Sequence, residues 1–333
     1  MIVSKIVYNN TAYYDMHAEQ CLNNLLLDDG IYAKSVNKKA LDEVSEDIKK
    51  DCDNSVFVLD FNNVESVQVN VFDENMKKLF NIKNKTIIIS NIIDRLVDQI
   101  YGLAYIKAHN EKYIQYTNEG NKYSFFTINE YDCSSIVDRS IIFKEIFTKE
   151  LIDKYLVKKD KSYHHSSSVY LSSYVDIKKF ITQGKPLMLY AIYSLAMKIK
   201  KHWLVKDGDR QNLPVLVCQS LNGSFIASVL SALLNLDMYI LDQIGPINKL
   251  YRNLGSKISS EKNYIIVSDV VCLGTEIKIA KSIINYHGGI YRGNVSIIRV
   301  NSIKEYDDIE EVFVIDKDNS GALNYRITTA LDE

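Results

Sequence analysis

The chain has 333 residues, of which 47% are hydrophobic and 25% charged, proportions that fit two globular domains and exclude a wholly disordered chain. Forty basic residues against 42 acidic ones give a formal net charge of −2, so nucleic acid is not an expected partner. The N-terminal stretch has no basic segment followed by an apolar core, and the apolar run Leu187–Met197 is too short to span a bilayer. A cytoplasmic protein without a membrane partner is expected.

The first half contains a predicted strand–helix–strand unit. Compact apolar runs at residues 55–61 and 85–90 are typical of buried strands, and residues 69–80 show the apolar spacing of a helix packed on a sheet. The turn at residues 118–121 lies between two short aromatic runs, a pattern that predicts a hairpin. This half is therefore predicted to be a mixed α/β domain.

The boundary between the halves is predicted in a polar stretch at residues 158–168, which follows a predicted helix at residues 140–157. This places one domain at residues 1–157 and the other at residues 163–333. Beyond the boundary, helices and strands alternate, which predicts a mostly parallel sheet covered on both faces. The predicted elements there are helices at 186–203, 225–234 and 275–286 and strands at 214–219, 238–241, 264–268, 294–300 and 312–315.

The segment from Tyr264 to Glu276 has the pattern of an anion site. An apolar strand leads to Asp269, a short turn contains Gly274, and Thr275 opens an amphipathic helix. Backbone N–H groups at a helix N-terminus bind phosphate, glycine allows close approach, and threonine adds a hydroxyl. Asp269 would accept hydrogen bonds from sugar hydroxyls at the strand end. The same pattern also fits a capped strand–helix turn without a ligand.

A second segment, from Pro214 to Ala227, favours the ligand-binding interpretation. It too is an apolar strand that ends in a loop of small residues and enters a helix. Two such loops at neighbouring strand ends would hold two phosphate groups.

These motifs resemble those of type I phosphoribosyltransferases. The sequence VSDVVCLGTEI is similar to that family's phosphoribosyl-diphosphate motif, SLNGSFIA to its pyrophosphate loop, and residues 166–178 to the base-reaching segment of orotate phosphoribosyltransferases. The resemblance implies a phosphoribosyltransferase-like fold for residues 163–333, with phosphoribosyl diphosphate or a nucleoside 5′-phosphate as ligand and Mg²⁺ bound with the diphosphate. The residues that it implicates are Ser268, Asp269, Cys272, Leu273, Gly274 and Thr275 at the sugar and 5′-phosphate and Leu221, Asn222 and Gly223 at the pyrophosphate.

The sequence departs from the family pattern at several positions. Ser268 replaces the first of two acids, and Cys272 replaces a threonine. The basic pair that commonly follows the next strand has no match, which leaves Lys249, Arg252 and Lys257 as sources of positive charge. Loss of a carboxylate and of loop cations weakens transition-state stabilisation. Asp269, with Lys249 and Arg252, is the expected catalytic set of a pentosyltransferase, and the alternative is a non-catalytic nucleotide sensor or stress effector.

The first half resembles a STAS-like domain, the regulatory fold of anti-sigma-factor antagonists. The resemblance rests on a strand that ends in Asp60-Phe61 and on Asp73-Glu74 near a helix start, while Val69 stands where antagonists carry a phosphorylated serine. It implies a protein partner for this half. A generic docking module is the alternative, and a homodimer is a further expectation.

Two other features are candidate sites. Adjacent residues on an extended chain point to opposite faces, so His164 and His165 form a poor metal-ligand pair and fit a linker or the edge of a base pocket. Cys272 is either a thiol of lowered pKa at a helix N-terminus or a small turn residue. No protein-only metal site is expected.

Overall fold

The computed structural model describes two compact units, residues 1–143 and residues 144–333. Its described residues are 2–17, 19–22, 32–36, 38–61, 64, 66–67, 69–92, 113–118, 121–127, 136, 139–158, 164–166, 169–171, 173–204, 213–241, 258–272, 274–300, 309–315 and 327–329.

The first unit is built on a six-stranded mixed sheet. The order is β1-β2-β5-β7-β9-β8, with β2, β5 and β7 parallel and the remaining pairs antiparallel. The strands are β1 Ile2–Tyr8, β2 Thr11–His17, β5 Val56–Asp60, β7 Thr86–Ser90, β8 Tyr113–Asn118 and β9 Asn121–Thr127. A small sheet contains β3 Glu19–Leu22, β4 Tyr32–Val36 and β6 Ser66–Val67.

Among the described residues, the helices that pack on this sheet are α1 at Lys38–Lys50 and α2 at Val69–Phe80. Their buried apolar residues join those of β2, β5 and β7 in one core, in which Phe57, Phe61 and Met76 are almost fully buried. The predicted strand–helix–strand unit and the predicted hairpin are confirmed. The STAS-like assignment of this unit stays a prediction.

The second unit is built on a five-stranded sheet in which every strand is parallel, as predicted. Its order is β15-β14-β16-β17-β18, and the strands are β14 Val215–Cys218, β15 Met238–Ile240, β16 Asn263–Val271, β17 Ile290–Val300 and β18 Ile309–Ile315. Two small antiparallel sheets contain β10 Leu156–Lys158 with β13 Ser173–Val175, and β11 His164–Ser166 with β12 Val169–Leu171 and β19 Ile327–Thr329.

The helices of this part of the chain are α3 Arg139–Glu150, α4 Ile177–Gln183, α5 Lys185–Ile199, α6 Leu221–Leu234 and α7 Thr275–Tyr286. The bounds predicted for α7 are confirmed. The predicted start of α6 at Phe225 is wrong, because the helix begins four residues earlier at Leu221, where Ser220 caps it by accepting a hydrogen bond from the Gly223 N–H. The predicted end of the 140–157 helix is also wrong, since a π-helical turn occupies Leu151–Tyr155 and β10 follows it.

The segment that precedes the predicted domain boundary packs within the second unit. Phe147 and Tyr155 make edge-to-face contacts with Phe180 of α4, at ring-centroid distances of 5.5 and 5.0 Å. The division of the chain therefore falls within α3, earlier than the boundary predicted at residues 158–168. Separate folding of residues 1–157 and 163–333 stays a prediction.

In the described part of the chain, none of the helices combines the length and the apolar character that crossing a bilayer requires.

Candidate functional site

The two segments predicted to bind phosphate meet at the carboxyl edge of the parallel sheet of the second unit. The segments follow β14 and β16, which are hydrogen-bonded neighbours. The Asn222 side-chain amide donates a hydrogen bond to Asp269 Oδ2 over 2.8 Å. The Gln219 amide donates to the main-chain carbonyl of Glu276 over 2.9 Å. Predicted sugar-binding and pyrophosphate-binding residues are thus in direct contact.

The turn before α7 needs glycine. Gly274 has a φ of 66° and a ψ of 16°, in the left-handed region that residues with a Cβ adopt at a cost. No side chain of the described residues caps α7, so the N–H groups of its first turn are not occupied by a capping oxygen. Such a helix start has the backbone geometry of an anion site.

The predicted pyrophosphate loop, Leu221–Gly223, is instead the first turn of α6. The Gly223 N–H donates to Ser220 Oγ over 2.9 Å. A Cβ at Gly223 would lie 3.1 Å from the main-chain oxygen of Val267, so glycine allows α6 to pack closely against β16. This close packing brings Asn222 to Asp269. The pyrophosphate-binding role of these residues stays a prediction.

Strand β16 continues through Val271, beyond the end predicted at Ser268. Since successive residues of a strand face opposite sides of a sheet, Ser268 and Asp269 lie on opposite faces. Asp269 contacts Asn222 of α6, whereas Ser268 Oγ accepts a hydrogen bond from the Asn294 side chain over 3.0 Å. Asn294 and Ser296 are fully buried on β17 beside Ser268, and neither Asn294 Oδ1 nor Ser296 Oγ has a hydrogen-bond partner among the described residues.

Two titratable groups flank the turn. Partial desolvation raises the pKa of Glu276, in the first turn of α7, and the negative charge of Asp269 raises it further. Burial raises the pKa of the Cys272 thiol to about 11. Cys272 is therefore a protonated thiol at neutral pH, which favours its interpretation as a small turn residue rather than a reactive thiolate.

Several predicted residues lie outside the described part of the chain. These are Leu273, Lys249, Arg252 and Lys257. His164 and His165 lie on β11, which pairs antiparallel with β12. Among the described residues, no three His, Cys, Asp or Glu side chains are grouped closely enough to hold a metal ion.

Four residues of this sheet edge were not predicted as site residues. Gln219 and Glu276 join the two segments, Asn294 engages Ser268, and half-buried Arg299 pairs in register with Val271 near the end of β17. Gln219 follows a buried strand directly, a position that marks ligand-binding edges in open α/β sheets. Asn294 could have been found from the sequence, because it is a polar residue within an otherwise apolar strand.

An open groove of about 580 Å³ begins beside the Asp269 contact. Asn222 lines it together with α4, α6 and the edge strand β15. Leu221 is 81% exposed, and Phe225 and Ile240 are also exposed there, so its surface is partly apolar. The groove offers space for an apolar portion of a ligand.

No protein-family model matches the chain, and none of the curated proteins matches it either. Solved structures that resemble part of it include adenine phosphoribosyltransferase from Thermoanaerobacter pseudethanolicus, at 13% identity and a TM-score of 0.35, over 43% of this chain and 88% of that one. Orotate phosphoribosyltransferase from Aeropyrum pernix matches at 13% identity and a TM-score of 0.36, over 52% of this chain and 93% of that one. Purine phosphoribosyltransferase from Pyrococcus horikoshii matches at 18% identity and a TM-score of 0.30, over 38% and 82%. Likenesses at this level do not assign the chain to a family.

Proposed function

We propose that the second unit binds a 5-phosphorylated ribose, as phosphoribosyl diphosphate or a nucleoside 5′-phosphate. The observation that carries the proposal is the 2.8 Å hydrogen bond from Asn222 to Asp269, beside the left-handed turn at Gly274. Asp269 Oδ1 accepts a sugar hydroxyl, and the N–H groups that begin α7 bind the 5′-phosphate, with the Thr275 hydroxyl as a further donor. The groove next to Asn222 takes the remainder of the ligand.

The reaction proposed for this site is phosphoribosyl transfer to or from a nitrogenous base. A base nitrogen forms a bond to C1 of the ribose as the bond from C1 to the pyrophosphate oxygen breaks, so pyrophosphate leaves with the bonding electrons and the proton of that nitrogen passes to solvent. Asp269 orients the sugar, and Lys249 and Arg252 supply positive charge toward the leaving group. Catalysis of this kind consists mainly of positioning and electrostatic stabilisation.

A magnesium ion is the proposed cofactor. Two carboxylates, Asp269 and Glu276, lie near each other at this edge, and Mg²⁺ is commonly held by one or two carboxylates together with substrate phosphates. Glu276 fits an ion that arrives with the diphosphate, because both oxygens of Asp269 are assigned to Asn222 and the sugar. When bound, the ion would neutralise charge on the diphosphate.

A second candidate, a non-catalytic sensor, is favoured by Ser268 and Glu276. Ser268 is not an acid and its side chain faces away from Asp269, so Asp269 is the one carboxylate of this pair that a sugar can contact. Glu276 adds negative charge at the α7 turn, where the phosphate is proposed to bind. Both features reduce stabilisation of a bound diphosphate. In this alternative the STAS-like first unit transmits the ligand-bound state to a protein partner.

Pyrophosphate release separates the two candidates. The protein is incubated with phosphoribosyl diphosphate, Mg²⁺ and a panel of nucleobases that includes orotate, beside Asp269→Asn and the matched control Asp237→Asn, an exposed aspartate of the same unit. Turnover that Asp269→Asn abolishes and Asp237→Asn retains supports the enzyme. Binding measured by calorimetry without pyrophosphate from any base supports the sensor. Absence of both binding and turnover contradicts the proposed function.

A further inference from the structure

We infer that this site binds 2-deoxyribose 5-phosphates about as tightly as ribose 5-phosphates. The inference rests on the proposed function and names its substrate class. It follows from the hydrogen bond that already occupies one oxygen of Asp269 and from the absence of a second carboxylate at Ser268.

Ser268 presents no acceptor to a sugar held at Asp269. The pairs of β16 with β17 on either side of Asp269, Ser268 with Ser296 and Val270 with Ile298, keep the same register, so the alternation of faces holds at residues 268 and 269. Ser268 Oγ accepts from the fully buried Asn294, on the face opposite Asp269. The Ser268 hydroxyl therefore belongs to a group of polar side chains on one face of the sheet, together with the buried Asn294 and Ser296.

One of the two carboxylate oxygens of Asp269 has a hydrogen-bond partner within the described part of the protein. Asn222 donates to Oδ2, and among the described residues no group donates to Oδ1. A carboxylate clamps two neighbouring hydroxyls by using both oxygens, one for each hydroxyl. Since Asn222 already gives Oδ2 a partner, one sugar hydroxyl bound at Oδ1 is enough to leave neither carboxylate oxygen unpaired.

Because only Oδ1 of Asp269 needs a partner from the ligand, the site is expected to discriminate weakly between ribose and 2-deoxyribose. Strong rejection of an analogue that lacks a hydroxyl requires a buried protein group that the missing hydroxyl leaves unpaired. Here the 3-hydroxyl, which both sugars carry, is sufficient to satisfy Oδ1. Removal of the 2-hydroxyl therefore leaves no protein group without a partner.

Calorimetry of the full chain with ribose 5-phosphate and 2-deoxyribose 5-phosphate tests the inference. The expected dissociation constants differ by about threefold or less, well below the tenfold that corresponds to 1.4 kcal/mol. In Asn222→Ala, Oδ2 becomes available for the second hydroxyl, and ribose 5-phosphate is expected to gain at least about threefold over the deoxy sugar. Ser231→Ala, farther along α6 and outside the groove, removes a hydroxyl that donates to the Leu236 carbonyl and keeps the wild-type ratio.

A preference above tenfold for ribose 5-phosphate in the wild-type protein overturns the inference and leaves the proposed function in place. If that preference disappears in Glu276→Gln, the second acceptor is Glu276 rather than Asp269. Failure of both sugars to bind removes the proposed function, and with it the inference. An unchanged ratio in Asn222→Ala also contradicts the role given to Asn222.

Discussion

At the scale of single residues, Glu276 opposes the anion that the α7 turn is proposed to bind. Its carboxylate lies in the first turn of the helix, and its pKa is raised by partial desolvation and by the charge of Asp269. As pH rises through this pKa, Glu276 loses its proton and its negative charge repels phosphate. Phosphate affinity should therefore fall with rising pH in proportion to the ionisation of Glu276.

We expect Glu276→Gln to bind ribose 5-phosphate about twofold to fivefold more tightly at pH 7, because a charge at a helix terminus is worth about 0.3–1 kcal/mol. The difference from wild type should shrink at acidic pH, where Glu276 is protonated. Titration calorimetry from pH 4.5 to 8 measures this, and comparing the two proteins cancels the ionisation of the phosphate itself. Glu261→Gln, at an exposed position of the same unit, is the control. A constant difference across pH would contradict the role of Glu276.

The sequence predicted part of this residue pattern. A turn with Gly274 and Thr275 was predicted because a strand, a glycine and a hydroxyl before a helix are local signals. The structure has Gly274 in the turn and Thr275 at the start of α7, whereas Asp269 lies within β16 rather than in the turn. The contact from Asn222 to Asp269 joins positions 47 residues apart. It could not be predicted from local patterns, because it requires that β14 and β16 be neighbours in the sheet. Ser268 was predicted as a ligand residue next to Asp269, and the sequence did not show that β16 continues past both residues and places their side chains on opposite faces.

At the scale of elements, the start of α7 depends on the left-handed backbone at Gly274. We expect Gly274→Ala to lower the free energy of unfolding by about 1–2 kcal/mol, the cost of a left-handed conformation for a residue with a Cβ. Gly274→Asn should cost less, since asparagine visits this region more readily and does so at Asn84, Asn91 and Asn235 of this chain. Urea denaturation compares the variants. Equal losses for alanine and asparagine would contradict the backbone argument.

Among the elements, periodic segments were predicted well and irregular junctions were not. The amphipathic spacing of α7 fixed its bounds from sequence. The start of α6 was missed because Leu221, Asn222 and Gly223 read as loop residues, and a side-chain cap at Ser220 decides the outcome. The π-helical turn at Leu151–Tyr155 has no separate sequence signal, because it continues the apolar pattern of α3 into the contact with Phe180.

At the scale of the whole molecule, the second unit should require residues that precede the predicted boundary. Phe147, Leu151 and Tyr155 are buried, and two of them contact Phe180. Residues 144–333 should therefore unfold at higher urea than residues 163–333, since each buried apolar side chain contributes roughly 1.5–3 kcal/mol. Circular dichroism during denaturation of both fragments measures the difference. Coincident transitions would place the boundary at residues 158–168, as the sequence predicted.

A crystal structure of the protein grown with ribose 5-phosphate would show whether Asp269 and the α7 turn hold the ligand. We predict the phosphate within hydrogen-bonding distance of the N–H groups of Thr275 and Glu276 and a sugar hydroxyl at Asp269 Oδ1, with the bond from Asn222 to Oδ2 retained. Asp269→Asn crystals prepared in the same way should show the sugar at reduced occupancy. A phosphate bound elsewhere, or an empty α7 turn at saturating ligand, would contradict the account.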